Sequence, residues 1–112
     1  ARAKSAAVQI ADAGYTTPVE RIDIDVVGSE GMGIVYAGAN AMQVGNYISE
    51  HDKLISEKLG RVMCGGDITA RAKVSERYLL DLERRAFVEL CTERKTLERM
   101  QSLIQKGKIL RN

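Results

Sequence analysis

The sequence predicts a mainly α fold: four to five helices in a small helical bundle, with one short extended strand near 21-27. Three observations carry that prediction. Apolar residues recur at three- and four-residue spacing along most of the chain, most clearly at Leu79, Leu82, Ala86 and Leu90. The connections between these stretches are short, which suits helices packed on one another. Only Arg21 to Val27 alternates with a period of two, Ile22, Ile24 and Val26 on one side and Asp23 and Asp25 on the other.

Residues 1–13 are rich in Ala and carry a narrow stripe of Ala7, Ile10 and Ala11, ending at Gly14, where a helix stops. The linker Tyr15-Thr-Thr-Pro18 follows, its proline keeping the preceding residue out of helical angles. The 21-27 strand needs a partner for its backbone groups. No other segment alternates well, so the partner is expected in sequence beyond this chain or in another copy; the alternative is a solvated extended segment. From Gly31 or Met32 to about Gly45 the chain is apolar almost all round, and such a helix expects neighbours on several sides. Its small residues Ala37, Gly38 and Ala41 permit another backbone to come close. Ser49 caps the next helix, with Glu50 and Asp52 in its first turn. Ile55, Leu59 and Val62 share a face there, with Leu54 and Met63 beside them, and Gly65-Gly66 ends it. After a polar loop Ser75 caps the strongest helix, whose apolar face is widened by Leu80 and Phe87. Thr92 is the expected cap of a last helix with core positions Leu97, Met100 and Ile104, terminated by Gly107.

The chain has 112 residues, enough for one domain with a modest core of aliphatic side chains and Met; it holds one Phe and no Trp. A formal charge of +2 with both signs interspersed argues against nucleic acid, whose partners show a basic face. No apolar run approaches the ~20 residues that cross a bilayer. The opening Ala1-Arg-Ala-Lys lacks the apolar stretch of a signal peptide and an initiating Met, as expected of a cleavage product or a piece of something longer. Cys64 and Cys91 form no CxxC pair and, with one His, make no conventional zinc site; two lone thiols fit a reducing cytosol, a disulfide remaining open.

Four features invite a chemical reading. Ile24-Asp-Val-Val-Gly28-Ser-Glu-Gly31-Met-Gly33 has the order strand, glycine-rich turn and helix start that dinucleotide sites use, yet Tyr36 stands where the third glycine belongs. A turn with a helix entry is the better reading. His51 has no partner in sequence for acid–base work or metal binding and is read as structural or surface. Glu83, Glu89, Glu93 and Glu98 lie among arginines and lysines as a solvated face, with Asp81 and Arg85 at helix-pair spacing. Lys106, Lys108 and Arg111 form a basic cluster at the end of the chain that suits the phosphates of a CoA-type ligand; the simpler reading is a solvated tail.

Several stretches carry a family likeness: Ala11-Asp-Ala-Gly14-Tyr-Thr-Thr-Pro18, Gly45-Asn-Tyr-Ile-Ser-Glu-His-Asp52, Val62-Met-Cys-Gly-Gly-Asp67, Val74-Ser75-Glu-Arg-Tyr-Leu-Leu-Asp-Leu-Glu83, Glu93-Arg-Lys-Thr-Leu-Glu-Arg-Met100 and Gly107-Lys-Ile-Leu-Arg-Asn112. Together they resemble the carboxyl-terminal end of bacterial bifunctional 3-hydroxyacyl-CoA dehydrogenases that also carry an enoyl-CoA hydratase-like region. The likeness covers most of the chain and weakens over 22–39. It implies a cytoplasmic parent that oxidises 3-hydroxyacyl-CoA with NAD in fatty-acid β-oxidation. The catalytic motifs of such enzymes map onto no position here, so the resemblance assigns no catalytic, cofactor or metal residue to this segment. It implies instead one helical carboxyl-terminal module over 1-112, with 15-30 an extended linker within it. The implied module binds no cofactor itself. Its partners are the remaining domains of the parent, further copies of the protein, and acyl-CoA if the basic tail serves it.

Three functions compete on this reading. The first is a non-catalytic helical module serving domain packing, subunit contact or coverage of the acyl-CoA site. The second is an independent helical protein that self-associates through its Met32–Gly45 helix. The third is direct CoA binding by Lys106, Lys108 and Arg111.

Overall fold

A computed structural model describes residues 2–112. Its elements run α1 (Arg2–Asp12), β1 (Ile24–Val26), α2 (Ser29–Val44), α3 (Glu50–Met63), β2 (Ala72–Val74), α4 (Glu76–Leu90) and α5 (Arg94–Lys106). The mainly α prediction with a short strand is correct. The strand's partner, however, lies within this chain: β1 pairs antiparallel with β2, Ile24 opposite Val74 and Val26 opposite Ala72. A three-residue strand is too short to show alternation, which is why the 67–74 loop gave no signal. The cross-strand ion pair of Lys73 with Asp25, at 3.2 Å, lies on the solvent side. Val26 turns inward and is buried, whereas Ile22, expected on the same face, precedes the paired residues and is exposed.

The ribbon sits over the ends of α2 and α3. Val26 packs on Gly65, and Gly65 and Gly66 take φ of 92° and 78°, turning the chain sharply out of α3. Tyr78 of α4 donates its hydroxyl to the Gly65 carbonyl at 2.9 Å, fixing α4 to this corner. The linker is fastened to the start of α4. Glu20 accepts from the Arg77 backbone N–H at 3.0 Å, and Arg21 and Glu76 exchange two further hydrogen bonds. A carboxylate is favoured there because the first N–H groups of a helix lack partners and carry partial positive charge.

The α2–α3 crossing is set by a glycine that the pattern of α2 did not predict. A Cβ on Gly60 would lie 2.5 and 2.8 Å from the Val35 methyl carbons and 3.1 Å from its Cβ. Gly38, expected to admit a neighbour, has nothing within 4 Å. Val35 cannot swing clear, because its branch point is itself in the way. Gly60→Ala is therefore expected to lose roughly 1–3 kcal/mol to overpacking, offset by about 1 kcal/mol of helix propensity. A urea titration of the single variants and the Gly60→Ala/Val35→Ala pair checks this. The pair should be more stable than the two single losses sum to; strict additivity would remove the proposed contact.

Other boundaries shift for local reasons. Glu93, not Thr92, is the N-cap residue of α5, because the Thr92 hydroxyl donates back to the Glu89 carbonyl at 2.7 Å. Two expected core positions of α5, Leu97 and Ile104, are 50% and 84% exposed, while Met100 is half-buried. Asp81 pairs with Arg84 at 3.1 Å rather than with Arg85. Cys64 is buried, Cys91 half-buried, and both thiols are free.

The molecule is expanded for its size. Its radius of gyration is 18.7 Å, against about 13 Å for a close-packed chain of this length. Its accessible surface of 8745 Å² exceeds the ~6,100 Å² of a typical folded monomer of 12.3 kDa. Part of that excess lies on the arm formed by α1 and the linker, all exposed; much of the rest is apolar, including Ile34, Val44, Met63 and Phe87.

Candidate functional site

The densest polar arrangement joins the start of α3 to α5 and the tail. It begins as a helix cap. Ser49 accepts from the Asp52 backbone N–H at 3.1 Å, and Asp52 Oδ2 accepts from the Ser49 backbone N–H at 3.0 Å. This reciprocal pair satisfies two donors that α3 would leave free. The expected Ser49 cap is thus present, and Asp52 does more than favour the helix end. Its Oδ1 accepts from Arg99 of α5 at 2.7 Å. Arg99 also donates to the Asn112 side-chain oxygen at 2.7 Å and backbone oxygen at 3.2 Å. The Asn112 amide in turn donates to Glu98 at 2.8 Å and to the Lys95 carbonyl at 3.2 Å, so the tail folds back along α5.

Charge follows geometry. The Arg99 hydrogen bond, assisted by the Ser49 backbone N–H, holds the Asp52 carboxyl at about 2, below its ordinary 3.8. The Asn112 amide and then Arg94 lower Glu98, and Lys58 lowers Glu89. Two residues on from Ser49, His51 is buried and its Nε2 lies 2.9 Å from the Thr96 hydroxyl, a second tie between α3 and α5. Of the two placements expected for His51, the surface one is not found: the ring is buried. Arg99, Thr96 and Asn112 were not legible as a unit in the sequence, because Arg99 and Thr96 act on residues more than forty positions away, Asn112 returns from the tail, and their own neighbours look like an ordinary charged helix.

Beside this network runs a groove of about 570 Å³ lined by Tyr47, Ile55, Met100, Leu103, Ile109 and Arg111, among others. It is where the structure places part of the basic cluster. Arg111 lines the groove; Lys106 closes α5; Lys108 is exposed, and its backbone carbonyl accepts from Ser102 at 3.0 Å. Lys106 falls seven residues after Arg99, on the same side of the helix. A second cleft of about 420 Å³ opens by His51, with Lys53, Glu57, Glu93 and Lys95 on its walls.

The glycine-rich turn is filled by protein. A Cβ on Gly28 would lie 2.7 and 2.8 Å from the carbonyl oxygens of Ala70 and Ile68, and the Ser29 hydroxyl donates to the Thr69 carbonyl at 2.7 Å. Carbonyl oxygens repel a phosphate, so this turn does not fit the pyrophosphate of a dinucleotide. It is a helix entry packed under the 68–70 loop. Among the described residues, His, Cys, Asp and Glu make no group of three placed to hold a metal ion. No described helix is long and apolar enough to cross a membrane. The hydrogen bonds of Asp52 with Arg99 and of His51 with Thr96 tie α3 to α5.

Comparison with known proteins gives one informative result. The chain is 42% identical over 110 residues to a probable 3-hydroxyacyl-CoA dehydrogenase of Bacillus subtilis (strain 168). That match takes in 98% of this chain but 14% of the other protein's length, so the chain is related to a segment of a dehydrogenase. No protein-family model matches the chain. No solved structure matches it.

Proposed function

We propose that this chain is a non-catalytic helical segment from the carboxyl-terminal part of a longer 3-hydroxyacyl-CoA dehydrogenase, built to pack against the rest of that polypeptide. In this reading the parent is cytoplasmic, carries an enoyl-CoA hydratase-like region, and oxidises 3-hydroxyacyl-CoA with NAD in fatty-acid β-oxidation. The hydride chemistry belongs to its other domains. The relation to the Bacillus subtilis dehydrogenase along 98% of the chain supports the parent. The packing role rests on the surface: 8745 Å² is accessible, about 2,600 Å² more than a typical monomer shows, or roughly three times one partner's share of a standard interface. Polar groups, by contrast, are spent within the segment, on caps and ties such as Asp52–Arg99 and His51–Thr96.

The test is an assay of the 112-residue chain with 3-hydroxyacyl-CoA and NAD, following NADH formation. No turnover is expected; a rate approaching that of a full-length dehydrogenase would end this reading. A second reading is favoured by the outer face of α2, where Ile34 and Val44 are 75% and 74% exposed. There the chain self-associates. Sedimentation over a range of concentrations distinguishes the two: a chain that remains monomeric alone but binds the rest of the polypeptide is the first, and one that dimerises alone is the second.

A further inference from the structure

We propose that α1 is a strap that closes, within its own chain, over the apolar groove between α3 and α4. Two incomplete features and a tether between them lead there. The first is α1 itself. It has eleven residues, every one of them exposed, and isolated helices shorter than about 12–15 residues are marginal in water. It is nevertheless a bounded, two-faced helix. Ala3, Ala6, Ala7 and Ile10 fall on one side and Arg2, Ser5, Gln9 and Asp12 on the other. Gly14, at φ 86°, stops it, with the Gly14 and Tyr15 N–H groups bonded back to Ala11 and Ile10. A helix of this kind gains its stability by burying its apolar side.

The second feature is the groove, about 430 Å³, lined by Leu59, Val62, Leu80, Ala86 and Phe87 with Glu83 and Arg84 at its edge. Leu59, Leu80 and Phe87 are each half or more exposed. Its floor is apolar and its rim charged, which suits an amphipathic helix whose contact face is small and whose one large anchor is Ile10. The small side chains let the helix backbone settle between the two ridges.

The tether makes α1 the occupant. Pro18, Val19 and Glu20 line one cleft with Leu80 and Arg84, the residues where the groove begins, and Glu20 and Arg21 are bonded to the first turn of α4, so the groove continues an interface the linker has started. Glu20 is held there by Arg77. The four residues from Gly14 to Thr17 span up to about 13 Å. Phe87 lies seven residues beyond Leu80, about 10 Å along α4. The whole groove is therefore within reach of a helix about 16 Å long running antiparallel to α4. The outer face of α2, with Ile34 and Val44 exposed, is left free by this closure and stays available for packing against a longer polypeptide.

Nuclear magnetic resonance on the whole chain decides it. Expected at low protein concentration are nuclear Overhauser contacts of the Ile10 methyl groups with Leu80 and of the Ala3 methyl group with the Phe87 ring, the pairing an antiparallel helix makes. The α1 amides should exchange at least tenfold more slowly than in an unfolded peptide. Phe87→Glu should return those amides to unfolded-peptide rates while the Arg99 and Thr96 signals stay in place, showing that α3 and α5 remain folded together. Unprotected α1 amides with no contacts in the native chain would overturn the proposal. So would contacts seen solely between labelled and unlabelled chains, which would make the occupant a second copy.

Discussion

Gly28→Ala is expected to cost this chain roughly 2–4 kcal/mol, the sum of backbone strain and a collision that nothing nearby relieves. Gly28 has φ 71° and ψ −148°, a region that side-chain-bearing residues almost never occupy. The new methyl would meet the carbonyl oxygens of Ala70 and Ile68 at 2.7 and 2.8 Å, and these are backbone atoms held by the β1–β2 ribbon and its loop. Gly107→Ala is the control. Gly107 also has positive φ, 61°, but nothing lies within 4 Å, so its substitution should cost only the conformational term, about 1 kcal/mol. Denaturant midpoints of the two variants separate steric from torsional cost. Equal midpoints would show that the 68–70 loop does not bear on Gly28. A loss of dinucleotide binding at unchanged stability would restore the phosphate-site reading of this turn.

The second large effect is expected at Arg99. Its ion pair with Asp52 is neither dry nor freely solvated, the side chains being 21% and 29% exposed, so screening trims but does not erase it. Arg99→Ala should lower stability by about 1–3 kcal/mol at neutral pH, since it strands Asp52 and releases Asn112. Arg99→Lys should recover little, because an ammonium group cannot span Asp52, Ser49 and Asn112 together. The acid dependence has a definite sign. Asp52 titrates at about 2 when folded and near 3.8 otherwise, so between those values the unfolded chain binds more protons. The stabilisation is complete above pH 4 and is lost as pH falls toward 2. Thermal unfolding of both proteins across that window should show their difference shrinking with acid. A difference independent of pH would detach Asp52 from Arg99.

Much of the architecture was legible because it depends on neighbours in sequence. The helix over 76–90 follows from Leu79, Leu82, Ala86 and Leu90 at helical spacing after Ser75, and the Ser49 cap follows from Asp52 three residues later. The stops at Gly14 and Gly107 follow from the ease with which glycine takes positive φ. What was missed depends on distance in sequence. Three-residue β2 has no periodicity to detect, so nothing in the sequence marks it as the partner of β1. The close approach on α2 lies at Val35 because Gly60 faces it, and no property of α2 by itself marks that spot.

The amino-acid order alone thus narrowed the helices to four or five and gave the ends of most of them and the lack of a charged face on α2, all local consequences of side-chain spacing and backbone freedom. Tertiary structure decided where those helices meet. Only there do Asp52, Arg99 and Asn112 become a single tie, His51 find Thr96, and the Gly28 turn close against carbonyl oxygens. The physical reason is that a hydrogen bond or a steric contact depends on distances of a few ångströms in space, and a separation of 47 positions along the chain from Asp52 to Arg99 leaves no trace of that closeness in their spacing.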